Sequence, residues 1–219
     1  AITSEMKDGA GRTVGEADGE TDSGRAGSIE VAGWNPSRPY LARLDKAGAD
    51  WERAIDKEMK EQGMLPLFWF DVAEWHWRAG RKEEARRAAE AALDAPTRDN
   101  QTLATVAARL LRYGAHDRAI WLLERLMERE TDRPQPMRTL ALALLERAKY
   151  AKTPAAAKAD LGRAIDLLAK AATTVTDVDA SGIETVALME ANAALARLKA
   201  MGGSSNALDP RFVALLDAD

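Results

Sequence analysis

The side chains that could carry chemistry are few. His76 and His116 are the two histidines of the 219-residue chain. No HxxxH or HExxH spacing surrounds them, and a zinc site needs three or four converging ligands, so the spacing predicts no metal site. His76 reads as a half-buried packing residue and His116 as an exposed turn residue. Asp177, Asp179, Ser181 and Gly182 begin like a calcium loop, but its twelfth position is Leu188, where a bidentate carboxylate is required. Glu184, three residues after Ser181, fits better as the partner in a helix cap. The chain has no Cys, and neither Ser nor Cys lies between Arg38 and Ala180. A Ser or Cys nucleophile is therefore absent from that stretch, leaving only Thr. Gly9, Gly11 and Gly15 fit neither phosphate-loop nor dinucleotide spacing, and the Glu83-Glu84 pair sits in a charged run typical of a solvated helix face. The expectation is a protein that is not an enzyme and uses no cofactor.

What remains are side chains suited to binding. Phe68, Trp69, Phe70, Trp75 and Trp77 place five of the chain's 12 aromatic residues within ten positions. On a helix, Trp69, Val72, Ala73 and His76 share one face, and Phe70, Glu74, Trp77 and Arg78 share another. The same face continues through Leu111 and Arg112, then Arg138, Leu142 and Leu145. Aromatic residues and Arg tend to dominate binding energy. One reading is thus a groove with Phe70 and Trp77 as anchors, suited to a protein or peptide segment of some acidic character. The other has both rings packed under the first capping helix against Trp51 or Ile55. The groove could also be filled by the chain's own N-terminal arm or by an insertion.

These side chains need a helical scaffold. From Pro39 to about Asp177 apolar residues recur at three- and four-residue spacing. Gly63, Gly80, Ala95-Pro96, Gly114 and Pro134-Gln135-Pro136 mark the breaks. Asp132 with Gln135, Ser181 with Glu184, and Thr153 before Pro154 read as helix starts. Gly80 and Gly114 are 34 residues apart, as are Ala85 and Ala119, Trp69 and Leu103, Val72 and Val106, and Ala73 and Ala107. A third unit runs through Met137, Leu140, Ala141 and Leu144, with Ala148 at the turn. Ala164 then falls 11 residues late, implying an insertion over roughly Lys149–Ala159. A 34-residue helix–turn–helix period with small residues at the turn and crossing is the tetratricopeptide signature. The fold class expected is all-α: a tetratricopeptide-like solenoid of about three repeats, capped by helices over Arg38–Gln62 and Ser181–Met201.

Charge is unevenly placed. Residues 1–33 carry a net of −4, which is also the charge of the whole chain, so the remainder is neutral. A neutral body suits neither nucleic acid nor an anionic membrane surface, and no apolar run approaches the ~18 residues of a membrane span. With seven of the 15 glycines and few large apolar side chains, residues 1–33 read as an acidic arm or linker. Ser28-Ile29-Glu30-Val31 could form an edge strand. The expected organisation is an arm over 1–33, a helical domain over 34–207 and a linker toward a following domain over 208–219. Ala1 need not be a natural start. Lack of Cys suits cytoplasm and cell envelope alike.

Four stretches carry a resemblance: Trp34-Asn35-Pro36-Ser37-Arg38-Pro39-Tyr40-Leu41, Pro66-Leu67-Phe68-Trp69-Phe70-Asp71-Val72-Ala73, Arg133-Pro134-Gln135-Pro136-Met137-Arg138-Thr139-Leu140-Ala141-Leu142-Ala143, and Glu190-Ala191-Asn192-Ala193. Together they resemble the helical region near the C-terminus of bacterial proteins that bear a vault/inter-α-trypsin-inhibitor-type (VIT) domain and a von Willebrand factor A (vWA) domain. Leu208-Asp209-Pro210-Arg211-Phe212-Val213 resembles the lead-in to the small β-rich domain that follows there. Met137, Thr139 and the 11-residue insertion depart from that pattern. The resemblance implies a fragment of a larger exported envelope protein with an adhesion-like or assembly role, whose metal-dependent adhesion site lies in another domain.

Overall fold

A computed structural model of the chain describes residues 38–96, 99–174 and 182–204, together with 210, 214 and 216. The chain divides into two units, Ala1–Pro36 and Ser37–Asp219, and every described residue belongs to the second. The Ser28–Val31 stretch, Asp177, Asp179, Ser181 and the arm lie outside the described residues, as does most of 208–219.

All regular structure among the described residues is helical: α1 (Pro39–Ala47), α2 (Trp51–Gln62), α3 (Pro66–Arg78), α4 (Lys82–Ala91), α5 (Asn100–Arg112), α6 (His116–Arg129), α7 (Pro134–Arg147), α8 (Pro154–Thr173) and α9 (Ile183–Ala200), with short 3-10 turns at Gly48–Asp50 and Ala92–Asp94. Four helices open on proline, where the missing N–H costs nothing and the fixed φ already matches the helix. From α3 onward each helix packs on the next in the chain, α1 packs on α2, α1 also touches α3, and α7 also touches α9.

Small residues set the close approaches. Ala73, Ala85, Ala107, Ala119, Ala141 and Ala164 are all fully buried, so a larger side chain at any of them would have to push two helices apart. Val72, Val106, Leu140, Leu144, Ile165 and Leu168 fill the spaces beside them. The turns at Gly80 and Gly114 adopt the same left-handed conformation, φ 75° and 72°, which glycine reaches without a Cβ clash. Ala148 ends α7 in a right-handed conformation instead, φ −58°, and the chain continues through Tyr150–Thr153 before α8 begins.

Ion pairs between second helices follow the same period. Glu90 of α4 pairs with Arg118 of α6, 28 residues on. Glu124 of α6 pairs with Arg163 of α8, 39 residues on, and the extra 11 residues are those by which the 16-residue Ala148–Ala164 spacing exceeds the five of Gly80–Ala85 and Gly114–Ala119. They form the Tyr150–Thr153 turn and the additional N-terminal length of α8, a helix of 20 residues where α4 has 10.

Three helix boundaries depart from expectation. The stretch Arg38–Gln62 is two helices, because Gly48 turns at φ 54° and ends α1. α7 begins at Pro134 after Arg133, with no side-chain cap; Asp132 bonds instead to its neighbour Thr131, and the Gln135 amide donates to Thr139. The two prolines have already removed N–H groups that a cap would serve. α9 begins after Gly182 at φ 102°, one residue beyond the region expected to hold Ser181 as cap. Thr153 does cap α8, its hydroxyl accepting from the Ala156 N–H at 3.2 Å.

Candidate interaction face

α3 supplies Phe70, Glu74, Trp77 and Arg78 at i, i+4, i+7 and i+8, a spacing that keeps them on one side of the helix. Glu74 is the hub. Its carboxylate accepts from Arg78 one turn along (3.1 Å) and from both terminal nitrogens of Arg112 on α5 (2.8 and 3.3 Å). Arg109 of α5 lies 3.7 Å away. Glu74 is largely buried, which alone would raise its pKa, but the bonds from Arg112 and Arg78 outweigh burial and hold it below the usual carboxylate range. Three guanidiniums therefore surround one carboxylate, and the cluster carries surplus positive charge.

Phe70 is buried rather than presented to solvent, with the Arg109 guanidinium 5.0 Å from its ring centroid. Trp77 is half-buried and stacks on Tyr113 at 4.5 Å and 26°. Trp51 of α2 packs against Trp75 and His76, and no ring contact joins it to Phe70 or Trp77 among the described residues. Leu111 is half-buried and Arg112 exposed.

On α7, Arg138 is held by Glu190 of α9 through two charge-assisted bonds, 2.8 and 2.5 Å. Leu142 is exposed, 36%, and Leu145 half-buried. Thus Glu74, Arg78 and Arg112 form one connected network that Phe70 joins through Arg109, with the Trp77–Tyr113 stack beside it. Arg138, Leu142 and Leu145 form a separate group, joined to it by no hydrogen bond, ion pair or ring contact among the described residues.

Several important partners escaped the sequence reading. Asp71 is buried on the apolar side of α3, accepting from the Tyr40 hydroxyl and pairing with Arg38 at 2.7 Å. Burial pushes its pKa up, against the pull of Tyr40, Arg38 and Arg109. A lone acid inside the run Phe68–Ala73 was the available signal, since a buried charge must find a partner. Arg109 and Tyr113 flank Arg112, and only the geometry of the α3–α5 contact distinguishes them.

His76 is 3% exposed, and its Nδ1 accepts from Arg81 Nε at 2.8 Å. Burial, then the adjacent guanidinium, push its pKa down to about 4, against a small opposing effect of Glu84. His116 heads α6, half-buried, stacked on Tyr150 at 5.2 Å. No group of three or more potential metal ligands occurs among the described residues, and no described helix is long and apolar enough to cross a membrane.

No protein-family model and no curated protein matches the chain. It is similar to a solved structure described as "Crystal structure of MamA protein", at 15% identity and a TM-score of 0.35, over 78% of this chain and 96% of that one. An overlap so loose transfers neither fold nor function. The all-helical architecture rests on the helices themselves.

Proposed function

We propose that this chain is a non-catalytic protein-interaction scaffold, a tetratricopeptide-like stack of about three helix pairs presenting one face to a protein or peptide segment. The face comprises Phe70, Glu74, Trp77, Arg78, Leu111, Arg112, Arg138, Leu142 and Leu145, with Phe70 supporting it from below. The observation that carries the reading is the convergence of Arg78, Arg109 and Arg112 on the single carboxylate of Glu74. The surplus charge favours an acidic partner, and the Trp77–Tyr113 stack beside it offers a rigid apolar surface. A stiff stack meets such a segment without first ordering itself. The neutral body argues against nucleic acid as the ligand.

The resemblance noted above supports placing this scaffold within a larger bacterial VIT/vWA-type protein of the cell envelope, its partner being another protein or another domain of the same one. A pure spacer between flanking domains would have Leu111, Leu142 and Leu145 covered; Leu111 and Leu145 are half-buried, and the binding reading rests on Leu142, which is 36% exposed. The test is cross-linking mass spectrometry of complexes formed by the parent and by R78E/R112E and L142D variants. Loss of the parent's specific cross-links in both variants is expected; unchanged cross-links would remove this face from the binding role.

A further inference from the structure

On another side of the molecule a crevice of about 440 Å³ opens between α2, α3 and α4, within the size range of small-ligand sites. Trp51, Ile55, Trp69 and Val72 give it apolar walls, closed below by Ala88 and Ala91. Trp69 is fixed by its indole N–H, which donates to the Gly63 carbonyl at 2.8 Å. His76 also lines the crevice and is its most buried polar residue. Because Nδ1 is the acceptor for a guanidinium, the neutral ring carries its proton on Nε2. That N–H has no hydrogen-bond partner among the described residues and is not one of the fully enclosed atoms left without one, so it stays open to solvent.

The mouth has a charge pattern of its own. Glu52, Asp56 and Glu84 line it with one lining cation, Arg87, while Arg81 lies behind the wall on His76 and Trp51. None of the three carboxylates forms an ion pair among the described residues, unlike Glu58, Glu74 and Glu83 nearby. Glu84 lies close enough for its charge to act on the His76 ring.

We propose that this crevice binds the N-terminal residue of a polypeptide whose first side chain is aliphatic. The free α-ammonium sits among Glu52, Asp56 and Glu84. The branched side chain packs between Trp51, Trp69, Ile55 and Val72. The first carbonyl oxygen accepts from His76 Nε2–H. A carboxylate ligand would be repelled at the mouth, and an unsubstituted chain would leave the apolar walls wet.

The probe is Leu-Gly-Gly-amide, followed by tryptophan fluorescence and by the ring ¹H–¹⁵N signals of the two histidines. Saturable binding with a Kd on the order of 1 mM is expected for so small a group, shifting the His76 Nε2 signal and leaving His116 unmoved. N-acetyl-Leu-Gly-Gly-amide, which lacks the charge, and Gly-Gly-Gly-amide, which lacks the side chain, should each bind about tenfold more weakly. The variant E52Q/D56N, at the two exposed carboxylates of α2, should weaken the free peptide toward the acetylated one without touching the packed core. No saturation by about 20 mM, a shift at His116 alone, or equal binding of the free and acetylated peptides would overturn the assignment. The α3–α5 face plays no part in this site, so either can fail without the other.

Discussion

Acidification offers a sharp test of the α2–α3–α4 packing, because one histidine should dominate the response between pH 7 and 5. His76 is enclosed by Trp51 and Trp75 and accepts a bond from Arg81. Protonating Nδ1 would break that bond and face two cations toward each other. Its pKa falls from 6.5 in the unfolded chain to about 4 in the fold. Between these values the unfolded chain binds the extra proton, so stability is full above pH 6.5 and is lost as pH falls toward 4. At about 1.4 kcal/mol per pH unit, the loss is about 2 kcal/mol from pH 7 to 5 and about 3 kcal/mol once the folded form titrates. Glu58, Glu74 and Asp99, whose pKa values lie below the usual range, lose their contributions mainly below pH 5. Asp71, shifted the other way, opposes the trend slightly. Urea unfolding followed by circular dichroism at pH 7, 6 and 5 reads the slope directly. A His76→Gln variant keeps an acceptor for Arg81 and removes the titration, so its stability should change by less than about 0.5 kcal/mol over that range. Parallel curves for parent and variant would refute the placement of His76.

Three further outcomes follow from the packing. Gly80→Ala and Gly114→Ala each force a Cβ into a left-handed turn and should cost about 1 kcal/mol, measured by denaturant midpoints. The nearest atoms are open space at Gly80 and an ordinary contact at Gly114, so the two costs should agree. Arg147→Ala strips the bidentate partner from Asp160, whose side chain is nearly buried between α7 and α8, and should cost about 1–3 kcal/mol; Asp117→Ala, at the exposed end of the same guanidinium, should cost under about 1 kcal/mol. Thr153→Ala removes the α8 cap and should lower stability by about 1 kcal/mol, with amide exchange rising first at the start of α8.

The parts of the fold legible in the sequence are those fixed by local stereochemistry and by repetition. Gly80 and Gly114 need no tertiary information, because they stand at the same place in the 34-residue period, whereas Gly63, a lone glycine at a break outside that register, ends α2 at φ −64°. Their shared φ then follows from their shared place in the period. The small residues at the crossings were readable for a related reason: an alanine repeated at one register in successive units marks where backbones approach. Harder to see was anything that depends on which side chains meet across helices. Phe70 and Trp77 look equivalent on a helical wheel, yet one lies beneath Arg109 and the other against Tyr113. Their fates are decided by which α5 side chain reaches each ring, to which the wheel is blind. Glu74 and Glu190 pose the same problem. A carboxylate's role is set by how many guanidiniums reach it, three for Glu74 and one for Glu190, and those arginines lie four, 35, 38 and 52 residues away in the chain. Helical periodicity finds the first of these partners and is silent on the rest. The surplus charge at Glu74 is therefore a property of the α3–α5 packing, and the interaction face must be tested there, at Arg78 and Arg112, before it is sought at Arg138, which Glu190 already neutralises.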